Sequence, residues 1–236
     1  MEPFQELFLS HFTCYWLLCG YFTVKDFCFT KGTIVKQRSQ LTRIILKKPT
    51  GFQLVKTCIN SLLNQLVTYT LLSLFYPTIY SKLPPISLLS IGACICVIPF
   101  WSILSDFYFY SIHRLIHMIR PLYNAIHSVH HMGNDNSVAT STLDAHVVEH
   151  IFINLGATVV GPLVMALFVV PPHEVFLGWS IIATVNGVTG HAGYIFSSIH
   201  VLHHIYGNCN FGVFPYYADQ LFGTYKTLES LEINRR

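Results

Sequence analysis

Long apolar runs constrain this chain more than any other feature. Five can be drawn: about Leu7 to Val24, about Cys58 to Tyr80, about Ile86 to Leu104, about Val147 to Val170 and about Phe176 to Thr189. Each is near the ~17–25 residues that a helix needs to cross hydrocarbon, where every backbone polar group must find its partner inside the segment. Side chains are 52% hydrophobic and 11% charged, and the mean hydropathy is +0.48. That is more apolar surface than one soluble core of 236 residues uses. A soluble all-α domain would have to account for every run, so the expected fold is an all-α, polytopic membrane helical bundle with about four to five spans. The first run lacks the basic n-region and small-x-small cleavage site of a signal peptide, and its His11, Cys14 and Tyr15 suit partial placement in the interface. The fifth is short enough to be re-entrant.

Runs two and three are separated by Ser81–Pro85, and runs four and five by Pro171–Pro172. Connections this tight demand antiparallel hairpins. The segments Lys25–Lys56 and Ser105–His146 and the tail from Gly190 then share one membrane face. Lys25, Lys31, Lys36, Arg38, Arg43, Lys47, Lys48 and Lys56 stand in the first of these against Asp26 alone, which puts that face in the cytosol. No internal repeat or low-complexity linker appears. Residues 1–56 read as an N-terminal membrane anchor with a basic cytosolic loop, and 57–236 as one membrane-embedded unit. The net charge of +3, with no basic face interleaved with aromatics, gives no reason to expect nucleic acid. The seven cysteines include no CxxC and lie mostly in apolar runs, so neither a disulfide framework nor a zinc ribbon is expected.

The thirteen histidines are concentrated between and after the spans. Three clusters stand out: His113-Arg-Leu-Ile-His117, His127-Ser-Val-His130-His131 and His200-Val-Leu-His203-His204. On a helix, residues at i, i+3 and i+4 share a face, so each cluster is expected to aim its imidazoles at a common point. Neutral imidazole suits zinc, copper, nickel and iron. His146, which opens the fourth run, and His191, which follows the fifth, fall on the same side of the membrane. Zinc sites use about three or four protein ligands and octahedral sites about six, so eight to ten histidines exceed what one ion can use and point to at least two metals. Carboxylates are sparse. Asp106, Asp135, Asp144, Glu149 and Asp219 are expected to fix imidazole tautomers rather than to be the main ligands. One pair such as His113/His117 or His146/His150 would alone be weak evidence; three clusters on one face are not. His11, His150 and His173 are read as structural.

These motifs resemble the fatty acid hydroxylase/sterol desaturase superfamily, whose pattern is HxxxH, HxxHH and a distal HxxHH. The resemblance runs from about Trp101 to Lys226. Within the superfamily the chain is most similar to the sterol C4-methyl oxidases, through Arg120-Pro-Leu-Tyr-Asn-Ala-Ile-His-Ser-Val-His-His131, Gly156-Ala-Thr-Val-Val-Gly-Pro162, His191-Ala-Gly-Tyr194 and Phe222-Gly-Thr-Tyr225. It implies a catalytic domain over 57–236, with two non-haem iron ions ligated by His113, His117, His127, His130, His131, His200, His203 and His204. His191 matches the histidine of a His-x-Gly-Tyr stretch, and His146 that of an Ala-His-Pro-x-Glu stretch, making both candidate metal residues. Here Val147 replaces that proline while Glu149 keeps the acidic place, and Ala218-Asp219 stands where many members have Trp-Asp.

The resemblance further implies an endoplasmic reticulum enzyme using O2, with electrons from NAD(P)H delivered by cytochrome b5 or a similar carrier, and oxidising a lipid C–H bond, most similarly a sterol C4-methyl group. Zinc could replace iron on purification. The chain has no dinucleotide fingerprint or haem-attachment motif, so a partner must bring the electrons, and Leu231–Arg236 carries no lysine-based retrieval signal. Phe107, Tyr108, Phe109, Tyr110 and Tyr194 either line a lipid slot or form an interfacial belt, and the belt is the preferred reading. A fatty acid or sphingolipid hydroxylase or a desaturase is the alternative within the superfamily. A metal transporter, or a silent relative with a structural metal site, is the alternative outside it. Transporters place ligands inside spans, whereas runs two and three contain no Asp, Glu or His.

Overall fold

The computed structural model describes residues 2–29, 50–80, 92, 96–131, 138–168, 170–193 and 198–227. Among these residues the structure is helical, with no strand. Helices α1 (Pro3–Phe29) and α2 (Gly51–Tyr80) come first, then α3 (Ile98–Met118). Helix α4 starts at Arg120–Leu122, passes through a π-helical turn at Tyr123–His127 and ends with Ser128–His131. A 3-10 segment at Ala139–Leu143 precedes α5, which is built from Val147–Glu149, a π-helical turn at His150–Leu155, and Gly156–Ala166. Helices α6 (His173–Ala192), α7 (Ser198–Tyr206) and α8 (Tyr217–Leu221) complete the chain.

Three stretches are long and apolar enough to cross a membrane: Pro3–Cys28, Gly51–Thr78 and Val147–Ala166. Their outer faces carry Leu17, Leu66 and Phe152, all well exposed, which suits contact with lipid rather than water. Of the other expected spans, the first half of Ile86–Leu104 lies mostly outside the described residues and its end opens α3, while Phe176–Thr189 falls within α6, which is not among the three. The basic segment Lys25–Lys56 also lies mostly outside the described residues. Its ends differ from the expected loop, because Lys25 closes α1 and Lys56 belongs to the first turns of α2. The tight connection at Ser81–Pro85, Asp135, Tyr194 and the tail Leu231–Arg236 are outside the described residues.

Among the described residues, the two larger apolar clusters hold the bundle. Tyr15, Cys19 and Phe22 of α1 pack on Val188 and Ala192 of α6 and on the 3-10 segment. Leu7, Tyr76, Trp101, Val175, Phe176 and Trp179 form the other. Helices α3 and α5 approach closely because Gly161 has no side chain: a Cβ there would lie 2.7 Å from Trp101. Trp179 joins α6 to α5 by donating to Thr158 O at 2.6 Å.

Helix α2 contributes a buried polar stripe at helical spacing, Thr57, Ser61, Asn64, Gln65 and Thr68. In an apolar bundle such groups must be paired. Ser61 accepts from Tyr15 Oη at 2.8 Å and Gln65 Oε1 from Trp16 Nε1 at 2.8 Å. Asn64 Nδ2 donates to Leu143 O at 2.8 Å and to Ala145 O at 2.9 Å. The α2 stripe therefore fixes the irregular 139–145 segment whose backbone meets the histidines.

Candidate metal centre

The α3–α4 break determines how the first two motifs meet. Ile119 is extended (φ −101°, ψ 92°), and the helix restarts with Pro121 in its first turn, where the missing N–H removes no helical bond. The chain turns, and α4 lays its histidines against those of α3. Helix α7 brings the third motif to the same place, and the end of α6 brings His191.

Nine histidines form two groups. His113, His117, His127, His131 and His203 offer ligand atoms that all lie within 4.8 Å of one another, and His130, His191, His200 and His204 do the same. Either group could hold a metal ion. The expectation that each motif serves one point fails for both HxxHH motifs, which are shared between the groups. His127 and His131 enter the first group and His130 the second; His200 and His204 enter the second and His203 the first. At roughly 100° per residue, positions i and i+4 point about 40° apart, whereas neighbours at i+3 and i+4 diverge by about 100°. Each HxxHH motif thus reaches two adjacent points, and the groups touch, with the His131 and His204 ring centres 4.7 Å apart.

Tautomers follow from the surrounding acceptors. His113 Nδ1 donates to Phe211 O at 2.6 Å and His203 Nδ1 to Cys209 O at 2.8 Å. In the second group His130 Nδ1 donates to Asp144 O at 3.2 Å and His191 Nδ1 to Gly187 O at 3.0 Å. His127 Nδ1 lies 2.9 Å from Glu149 Oε1, within ion-pair reach but not aligned as a hydrogen bond. With the proton held at Nδ1, Nε2 presents a bare lone pair. The His130 and His191 Nε2 atoms, both fixed in this way, face each other 3.1 Å apart, and His113 Nε2 lies 2.9 Å from His127 Nε2. Two lone pairs facing each other repel unless a cation lies between them. His117 Nε2, His204 Nε2 and both ring nitrogens of His200 are buried without a hydrogen-bond partner. This donor set fits metal ions. Burial, then the neighbouring imidazoles, holds His127, His200, His203 and His204 well below the ordinary histidine range, so they stay neutral and able to ligate.

The carboxylates act differently from expectation. Among the described residues of that set, Glu149 alone brings its side chain to a grouped imidazole. Asp144 reaches His130 through its backbone carbonyl, and its side chain accepts from Asn60 Nδ2 at 2.6 Å. Asp106 and Asp219, both buried, grip the loop that follows α7. Asp219 accepts from Phe211 N at 2.9 Å, Gly212 N at 2.6 Å and Thr224 Oγ1 at 2.7 Å, while Asp106 accepts from Val213 N at 3.1 Å and Ala218 N at 3.0 Å. That loop supplies the Phe211 and Cys209 carbonyls that orient His113 and His203. Burial raises both carboxyl groups, Asp106 to about 6, and the backbone N–H bonds work against the rise. The two carbonyls were missed in the sequence because a backbone acceptor has no residue type to recognise.

Phe109 also departs from the expected belt. Its ring packs edge-on against His113 and His200, with centres 5.1 and 6.3 Å away. Tyr110 is buried, stacked on Phe222 and hydrogen-bonded to Arg114.

Comparison with known proteins uses the same region. The family model described as fatty acid hydroxylase matches residues 98–224, more than half of the 236 residues. The chain belongs to the fatty acid hydroxylase family. Among its fatty acid hydroxylase-family relatives, the fatty acid hydroxylase ahd1 of Mycosarcoma maydis is 28% identical over 92% of this chain and 56% of its own length. Methylsterol monooxygenase 2-2 of Arabidopsis thaliana is 32% identical over 57% of this chain and 55% of its own. Very-long-chain aldehyde decarbonylase GL1-11 of Oryza sativa subsp. japonica is 33% identical over 56% and 54%. The chain spans about half the length of the curated relatives it matches. No solved structure matches it. The stretch matched to the fatty acid hydroxylase model contains all nine grouped histidines, Asp106 and Asp219, and excludes α1 and α2.

The remaining histidines stand apart from the two groups. His146 caps α5, its Nδ1 accepting from Val148 N at 3.2 Å, because the cap position turns the ring back on its own helix. His11 pairs with Thr184 at 2.8 Å, His150 with Thr68 at 2.8 Å, and His173 with Tyr76. His146→Asn, which keeps a capping side chain, is expected to leave metal content at the wild-type level. His146→Ala is expected to lower stability by about 1 kcal/mol, again without metal loss. Elemental analysis and thermal melting of both variants check this.

Proposed function

We propose that this chain is a membrane non-haem di-iron oxygenase that oxidises a C–H bond of a lipid with O2. The observation that carries the reading is the convergence of bare, buried Nε2 atoms into two adjoining histidine groups. In it, His113, His117, His127, His131 and His203 hold one iron, and His130, His191, His200 and His204 hold the other. Bound there, iron would supply the O2 activation that an unactivated C–H bond requires and protein side chains cannot provide. The chain's own part is to hold the Nδ1 protons on carbonyls, keep the imidazoles neutral, and exclude water by burial. Histidine-rich sites of this kind also accept zinc, which competes during purification.

The finer reading is a sterol oxidised at a C4-methyl group, in the endoplasmic reticulum membrane with the histidines facing the cytosol. Electrons come from NAD(P)H through cytochrome b5 or a similar donor. The matched stretches around His127–His131 and the methylsterol monooxygenase relatives support it. An acyl lipid is the second reading, favoured by the longer alignment with the fatty acid hydroxylase of Mycosarcoma maydis. Purified protein loaded with ferrous iron, given a reduced b5-type donor, is expected to consume O2 faster when a 4-methylsterol or a long-chain fatty acid is added, and to yield an oxidised lipid. Metal-replete protein whose O2 uptake responds to neither lipid class overturns the reading.

A further inference from the structure

A cavity runs between α1, α3, α5 and α6, with Leu7, Leu155 and Phe176 among its walls, and it meets a smaller pocket floored by both histidine groups. The smaller pocket is lined by His113 and His127 of the first group and by His130, His191 and His200 of the second. Six residues line both spaces and form the neck between them: Phe109, Thr142, Asn154, Asn186, Gly187 and Val213. A lipid lying in the larger cavity would approach the histidines past these six residues.

The polar side chains of the neck are not equivalent. Thr142 Oγ1 donates to Ala139 O at 2.7 Å, and Asn186 Nδ2 donates to Phe214 O at 3.4 Å. Asn154 Nδ2 is buried and has no partner. Asn154 stands inside the candidate span Val147–Ala166, where an unpaired amide is costly and polar residues mark binding sites. Asn154 lies in the π-helical turn at His150–Leu155, five residues after Glu149, and both side chains line the pocket that holds the histidines, with the Glu149 carboxylate beside His127.

We infer that Asn154 receives an oxygen of the substrate lipid, a hydroxyl or carbonyl lying next to the carbon that is oxidised. This rests on the lipid-oxygenase reading and narrows it to lipids oxygenated beside the reacting carbon, rather than plain alkyl chain remote from any polar group. The amide N–H donates to that oxygen and fixes which carbon enters the histidine pocket. A site built around such a donor discriminates against the analogue lacking the acceptor.

The test measures binding without turnover, under argon and with no electron donor. Purified full-length protein in nanodiscs is titrated with two matched pairs, a 4,4-dimethylsterol against its 3-deoxy counterpart and octadecanal against octadecane, by displacement of a fluorescent lipid. The oxygenated member of one pair is expected to bind about tenfold tighter. In Asn154→Leu that preference is expected to vanish through weaker binding of the oxygenated member, with the deoxy member unchanged as the control for folding. The pair that discriminates identifies the oxygen as a ring hydroxyl or an aldehyde. Equal binding of both members of both pairs by the wild type, or a preference that survives in Asn154→Leu, overturns the inference. Should Asn154→Leu not fold, a diazirine set beside the oxygen of the preferred ligand is expected to label the neck residues of the wild type, and labelling elsewhere overturns it. O2-dependent lipid oxidation without the preference sinks this inference alone; the preference without any O2-dependent turnover sinks the oxygenase reading and leaves the binding site standing.

Discussion

His203→Ala is expected to abolish lipid oxidation and to lower bound metal from about two ions per chain to about one, with the protein still in the membrane fraction. The split of the motifs makes this specific. His203 is a neighbour of His204 in sequence, yet it belongs to the group formed by His113, His117, His127 and His131. Its Nδ1 is held by Cys209 O and its Nε2 lies 3.1 Å from His131 Nε2. Removing it strips one ligand from the first group and none from the second. His130→Ala is expected to do the converse, costing the second group its ion. Metal analysis of each single variant and of the double variant checks this: the double variant should hold almost none. Loss of both ions in each single variant would mean that one shared cluster, rather than two groups, binds the metal. Full oxidation by either variant would sink the di-metal assignment.

Gly212→Ala is expected to weaken metal binding by about 10–100-fold, the range associated with disturbing groups that orient ligands, although residue 212 is not a ligand. A Cβ there would overlap Asp106 Oδ1 and lie 2.8 Å from Asp219 Oδ2. Neither carboxylate can swing away cheaply, since both are buried and each holds backbone N–H groups of the same loop. The loop must move, and with it the Phe211 and Cys209 carbonyls that fix the tautomers of His113 and His203. Overpacking of this kind also costs about 1–3 kcal/mol of stability. Dialysis against graded chelator, with thermal melting alongside, measures both effects. Wild-type retention of metal by Gly212→Ala would show that the carboxylate-held loop does not tune the first group.

Much of the site was legible because its chemistry is carried by side chains at helical spacing. The three histidine clusters and His191 were readable as ligand candidates, and their number implied more than one ion. Their allocation was not readable, because the i, i+3, i+4 rule says that residues share a broad face but not which of two nearby points each reaches. His146 matches a motif too, but the structure places it outside both groups and as the cap of α5. Phe109 looked like one aromatic among several; its i, i+4 place on α3 sets it beside His113, and the tertiary structure brings His200 of α7 to it.

Read alone, the sequence already carried the helical character seen in the described residues, the apolar stretches that suit lipid, and histidine clusters able to hold metal. Apolar length and helical periodicity are local properties, written in consecutive residues. Only the packing of distant segments sets which imidazoles fall into one group, has Asp106 and Asp219 act through the loop they grip, and leaves Asn154 Nδ2 unpartnered at the neck. Those features depend on contacts between segments far apart in sequence, such as Asp106 with Ala218, and on backbone carbonyls that no residue type announces.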